Sequence, residues 1–185
     1  MENEKMTRKE FNRLLKRIRT KPKEGLAEFY EIFAPQIRIE IACQCQDDDL
    51  FNEIENDVYL KVWKTAVKGG FIYKPKSWIS RIVRTTVYDS VKQKLSQVAI
   101  ACDFSKEETA SVDVISKVED EDAFLCSIAC LRQEDKQIII MRIVWDYTLE
   151  QVAKELKKPY GTVTTQYYRA LDKIKKNKEK EKTDE

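Results

Sequence analysis

Just after Gly161 the chain places Thr162, Thr164, Thr165, Gln166, Tyr168, Arg169 and Lys173 in close succession. Hydroxyls and an amide both donate and accept hydrogen bonds, and a guanidinium or ammonium pairs with phosphate. Such a set can recognise a polar surface, but it holds no nucleophile beside a base and so cannot start covalent catalysis. Elsewhere the prospects for catalysis are no better. The chain has no His, the commonest acid-base group, and neither a GxxxxGK[ST] nor a GxGxxG loop. No catalytic residue and no cofactor are assigned. The 5 cysteines include a CxC pair, Cys43 and Cys45, and a pair one helical turn apart, Cys126 and Cys130. Zinc sites favour CxxC pairs or added His, so the thiols are expected to be small buried hydrophobes, reduced and free of metal.

The elements that must position the polar set follow from composition. A chain of 185 residues accommodates one ordinary domain or two small ones. With only 4 Gly and 4 Pro, and 36% charged residues, it favours long amphipathic helices, so the expected class is all-α. The net charge of +2 hides a segregation. Between Ala101 and Ala123 eight acids face two bases, whereas from Lys157 to Lys182 nine bases face three acids. That pattern suits a polyanion-binding module joined to an acidic tether. The opening MENEKMTRKEF lacks an apolar signal segment, and no run reaches the roughly 20 apolar residues of a membrane span. A cytoplasmic protein with no membrane insertion is expected.

Apolar spacing marks out the helices. Phe11, Leu14, Leu15 and Ile18 form one face, which KPKEG terminates. Leu26, Phe29, Tyr30 and Phe33 form a second, with Pro35 kinking or dividing the continuation through Ile37 and Ile41. The acidic triplet 47–49 suits the start of a third helix, with Phe51, Ile54, Val58, Val62 and Ala66 inward and Glu53, Asn56 and Asp57 on another face. After Gly69 and Gly70, FIYKPKS leads to a fourth helix that buries Ile79, Val83, Val87 and Val91 and projects Arg81, Arg84, Lys92 and Lys94. Trp63 and Trp78 are assigned to the core. The expected layout is a helical domain over 1–97, an acidic flexible linker over 98–123, a second helical domain over 124–178 and a charged tail over 179–185.

The stretch LEQVAKELKKPYGTVTTQYYRAL stops one helix and restarts another within a few residues. Thr148 with Gln151 makes a capping box, and Val152, small Ala153 and Leu156 offer an inner face. Pro159 suits the first turn of the next helix, which Val163, Tyr167, Leu171 and Ile174 anchor. That is the plan of a helix-turn-helix, whose second helix would direct the polar set towards phosphates and base edges of a major groove. An αα-hairpin with a solvated basic face is the plainer alternative.

The stretch LRQEDKQIIIMRIVWDYTLEQVAKELKKPYGTVTTQYYRALDKI resembles region 4 of sigma-70 family sigma factors, particularly those of the extracytoplasmic-function type. EIENDVYLKVW and KSWISRIVRTTVYDSVKQK are similar to two helices of region 2 of the same group. The resemblance implies an alternative sigma factor that binds core RNA polymerase and promoter DNA and is held by an anti-sigma factor. It implies polymerase contact by Glu53, Asn56 and Asp57. For the minus-ten element it implies Phe71, Tyr73, Arg81, Arg84, Thr85 and Lys92. For the minus-thirty-five element it implies Thr162, Thr164, Thr165, Gln166, Tyr168, Arg169 and Lys173. An autonomous helix-turn-helix regulator is the rival reading. The sequence departs from the family at TTQ, where KSR is common, at Thr85 for an Asn, and at Lys157, where a turn glycine is usual and a left-handed lysine costs about 1 kcal/mol.

Overall fold

A computed structural model of the chain describes residues 6–45, 47–101 and 119–181. It is all-α, in two compact units, Met1–Val112 and Asp113–Glu185. Most of the acidic stretch expected as a linker, together with Cys102 and the last residues of the charged tail, lies outside the described residues.

Four helices build the first unit: α1 (Arg8–Thr20), α2 (Pro22–Ala42), α3 (Asp48–Lys68) and α4 (Pro75–Ala101). Thr7 and Glu10 close a capping box at the start of α1, and the Asp47 side chain accepts from the Leu50 N–H to cap α3. The apolar stripes meet inside the bundle, where Phe11, Ile18, Phe29, Ile37, Ile41, Ile54, Val58, Val62, Ile79 and Val83 are fully buried. Phe11 stands edge-on to both Phe33 and Trp78, at ring separations of 5.8 and 5.9 Å. Gly25 permits a close approach of α1 and α2. A Cβ there would lie 2.5 Å from the Ile18 backbone nitrogen, so α1 and α2 can cross this tightly only with hydrogen at that position.

Several expectations need correction here. Of the two outcomes expected at Pro35, a kink or a division, division is excluded, because α2 runs past it to Ala42. Tyr30 and Trp63 were placed with the core and are exposed instead, Trp63 because it stands about 100° around the helix from buried Val62. Cys45 is buried as expected, but Cys43 is half-buried and Cys126 and Cys130 are exposed.

The second unit comprises α5 (Glu119–Ala129), α6 (Gln133–Ile139), a π-helical turn (Ile140–Val144), α7 (Leu149–Leu156) and α8 (Tyr160–Glu181). Ile138, Ile139, Ile140 and Met141 are all buried. Four consecutive residues sweep about 300° of an α-helix, so a single inward stripe cannot take them all. The chain widens into the π turn, with the Trp145 N–H donating to the Ile140 carbonyl at 3.1 Å, and Trp145 and Tyr147 then fold back into the core.

Candidate nucleic-acid interface

The helix-turn-helix is assembled by local chemistry. Thr148 and Gln151 exchange the two bonds of a capping box at 3.2 and 2.9 Å, which fixes the start of α7. Its end is a left-handed residue, Lys157, at φ 54 and ψ 37. The Lys158 N–H donates to the Ala153 carbonyl at 3.0 Å, the long bond of a Schellman motif. Lysine thus occupies the conformation that glycine ordinarily takes. Pro159 lies one residue earlier than expected, before α8 rather than in its first turn, and its carbonyl accepts from Val163. Val163 and Ala170 of α8 and Val152 and Ala153 of α7 are all buried, and the two helices pack on each other.

This packing sorts the polar residues of α8. Thr162, Thr165, Tyr168 and Arg169 are exposed, Tyr168 to 61%. Lys173 is half-buried. Thr164 and Gln166 are turned towards the body instead of outward, and the Thr164 hydroxyl and the Gln166 carbonyl oxygen are buried without a partner. The reason is angular. Position 166 lies only about 60° from inward Val163, whereas 165 and 168 lie well past a right angle from it. The Gln166 amide hydrogen-bonds the Glu134 carboxylate, which also accepts from Lys158 at 2.5 Å. Lys158 first and Gln166 to a lesser degree hold the Glu134 carboxyl below its ordinary range. Tyr160, which the sequence reading passed over, is exposed at the start of α8.

In the first unit the outer face of α3 carries Glu53 and Asn56, both exposed, with Asp57 half-buried beside them. Leu60, Trp63 and Val67 continue as exposed apolar residues towards the helix end. Beyond α3, Gly69 and Gly70 take φ of 76 and 122, and the loop they start lifts Phe71 and Tyr73 into solvent, 50% and 70% exposed. Their rings meet edge to face at 5.0 Å.

Along α4, Arg81, Thr85 and Lys92 are exposed, and Tyr88 among them is 65% exposed. At about 100° per residue these four fall on one straight stripe. Tyr88 was missed by the sequence reading, although its place seven residues after Arg81 was enough to find it. Arg84 departs from the outward placement expected of it. Its side chain is only 16% exposed and faces buried Glu40, with Nε 3.9 Å from the carboxylate, which also accepts from the Ser80 hydroxyl at 3.1 Å. Lys94 likewise pairs with Asp47. Among the described residues no group of His, Cys, Asp or Glu side chains converges as metal ligands do, and no helix is long and apolar enough to cross a membrane.

In the second unit a helix-turn-helix exposes a polar and basic face on its second helix, the arrangement with which such motifs meet a DNA groove. Residues 121–174 match the family model described as Sigma-70, region 4, the same part of the chain in which the sequence resembles that region. None of the curated proteins matches the sequence. Among solved structures, that of CnrH in complex with the cytosolic domain of CnrY is similar at a TM-score of 0.57 and 9% identity. The likeness covers 91% of this chain and 96% of that one, and at such identity it is a likeness of fold.

Proposed function

We propose that this protein is an alternative sigma factor that joins core RNA polymerase and directs it to a particular set of promoters. The observation that carries the reading is the region 4 match over a helix-turn-helix whose Thr162, Thr165, Tyr168 and Arg169 face solvent together. In this reading those residues, with Lys173, meet the upstream promoter element, Arg169 and Lys173 chiefly at phosphates. Thr164 and Gln166 set the helix in place rather than touch bases. The first unit takes the downstream element as it opens. Phe71 and Tyr73 stack on an unpaired base, and Arg81, Thr85, Tyr88 and Lys92 line the path of the strand. Base–aromatic stacking contributes roughly 1–3 kcal/mol per base, the scale of about 1.4 kcal/mol lost per opened base-pair step. No bond is made or broken by the chain itself.

Glu53, Asn56 and Asp57 are the proposed polymerase contact, and residues 98–123 the tether between the two DNA-reading units. CnrH forms a complex with the cytosolic domain of CnrY, and the shared fold supports a protein partner for this chain too, which in this reading is an anti-sigma factor. Reconstitution with core RNA polymerase on a genomic promoter library, with transcript starts mapped, tests the reading. Starts that appear only with the protein present, beneath a shared upstream element, are expected. Tight operator binding by the isolated protein as a dimer, with no effect on polymerase, would instead establish an autonomous regulator.

A further inference from the structure

The first helix has a feature that neither the family match nor the proposed roles take up. α1 carries six bases, Arg8, Lys9, Arg13, Lys16, Arg17 and Arg19, against one acid, Glu10. Arg17 is engaged by Glu24 and Glu28 at 3.4 and 2.8 Å. Among the described residues Lys16 and Arg19 are not ion-paired, and both are exposed. Arg8, Asn12, Lys16 and Arg19 follow one another at helical spacing within an arc of about 80°, so they form one stripe.

That stripe runs beside the aromatic loop. Asn12 donates from its amide nitrogen to the Ile72 carbonyl at 3.0 Å and accepts from the Ile72 N–H at 2.8 Å. One side chain thereby satisfies both polar groups of a loop residue sixty positions away and fixes the base of the Phe71–Tyr73 pair. The Arg19 guanidinium lies against the loop at Gly69, 3.2 Å from where a Cβ would stand. A cavity between helix and loop is lined by Asn12, Lys16 and Arg19 on one side and by Gly70, Phe71 and Ile72 on the other.

We propose that this α1 stripe is a phosphate track for a single DNA strand, with Lys16 and Arg19 holding the backbone next to the base that stacks on Phe71 and Tyr73. Asn12 is the positioning residue that keeps ring platform and track in register. An unpaired strand fits because it offers, at one nucleotide's spacing, the two things this corner receives: a phosphate for the cations and a π-face for the rings. A duplex would offer phosphates but keep its bases stacked away from the rings. The inference rests on the proposed role of the loop.

The test uses the full chain and a labelled 15-nucleotide mixed-sequence single-stranded DNA, titrated by fluorescence anisotropy from 50 to 200 mM salt, with the matching duplex alongside. Lys16→Ala/Arg19→Ala should weaken single-strand binding about fivefold, and its salt dependence should be shallower by about 1.4 in log–log slope, the value for two phosphates on a single strand. Duplex binding should be unchanged. Asn12→Ala should halve the quenching of a 2-aminopurine in the oligonucleotide without changing the salt slope, a split that loss of charge would not give. Because Asn12→Ala could loosen the bundle, Asn12→Asp is compared with it; it keeps the acceptor and loses the donor, and should fall between. Unaltered binding in Lys16→Ala/Arg19→Ala, while Phe71→Ala/Tyr73→Ala binds poorly, overturns the track and leaves the loop's role standing. Normal binding by Phe71→Ala/Tyr73→Ala overturns that role and the inference with it. Equal loss on single strand and duplex, or competition by poly-glutamate as strong as by the oligonucleotide, also overturns it, the last in favour of an acidic protein partner.

Discussion

In both units a glutamate from a neighbouring helix takes a residue that the sequence assigns to the interface. On α4 it is Arg84, drawn to Glu40 of α2; on α8 it is Gln166, drawn to Glu134 of α6. The two arrangements differ in depth. Glu40 is 1% exposed, so its carboxylate has little water to fall back on, whereas the Glu134 side chain is 70% exposed and already hydrated. The same substitution therefore has different consequences: taking a cationic neighbour from a buried charge is costly, and taking one from an exposed charge is not. The first unit is organised around an interior charge, and the second sets its helix by packing, with the glutamate as a guide.

The largest expected effect breaks the deep arrangement. Arg84→Ala should destabilise the first unit by about 3 kcal/mol in denaturant unfolding, and Glu40→Gln/Arg84→Met should recover most of that loss. A change within about 0.5 kcal/mol would show that Arg84 behaves as a surface cation after all. Next come the glycines, which sharpen the contrast in packing. Gly25→Ala meets the Ile18 backbone and should cost about 1–3 kcal/mol, whereas Gly161→Ala on α8 has nothing within 4 Å and should add about 0.5 kcal/mol by its helix propensity.

Lys157→Gly relieves the left-handed lysine between α7 and α8 and should stabilise the second unit by about 1 kcal/mol, read as a rise of several degrees in its Tm. The smallest effect belongs to the shallow glutamate. Glu134 has its pKa lowered from 4.5, chiefly by Lys158, so its contribution is present above that value and lost as pH falls through the depressed one. The NMR shift of the Gln166 side-chain amide should accordingly move below pH 4.5. In Glu134→Ala the movement should vanish, while the unfolding midpoint stays at that of the parent chain.

Much of this was legible in the residues. Period-3.6 stripes gave α1 to α4 and the helix-turn-helix with most of their buried aliphatic residues, since burial repeats with the turn of the helix, but not the buried run Ile138, Ile139, Ile140 and Met141, which has no such period. The Thr148–Gln151 box and the left-handed Lys157 were readable because caps and turns are decided within a few residues. Tyr88 was legible too and was overlooked.

What lay beyond the sequence is what depends on residues far apart in the chain. Arg84 has the chemistry of a phosphate contact, and only the placement of Glu40 on another helix turns it inward. Nothing near Asn12 announces that it will hold Ile72, and no motif announces the stripe beside it. Local chemistry determined which segments are helical and where they stop, because those choices are settled by neighbours in the chain. Tertiary structure decided which polar groups are engaged by the protein itself and which face outward, because a side chain's partner is chosen by distance in space.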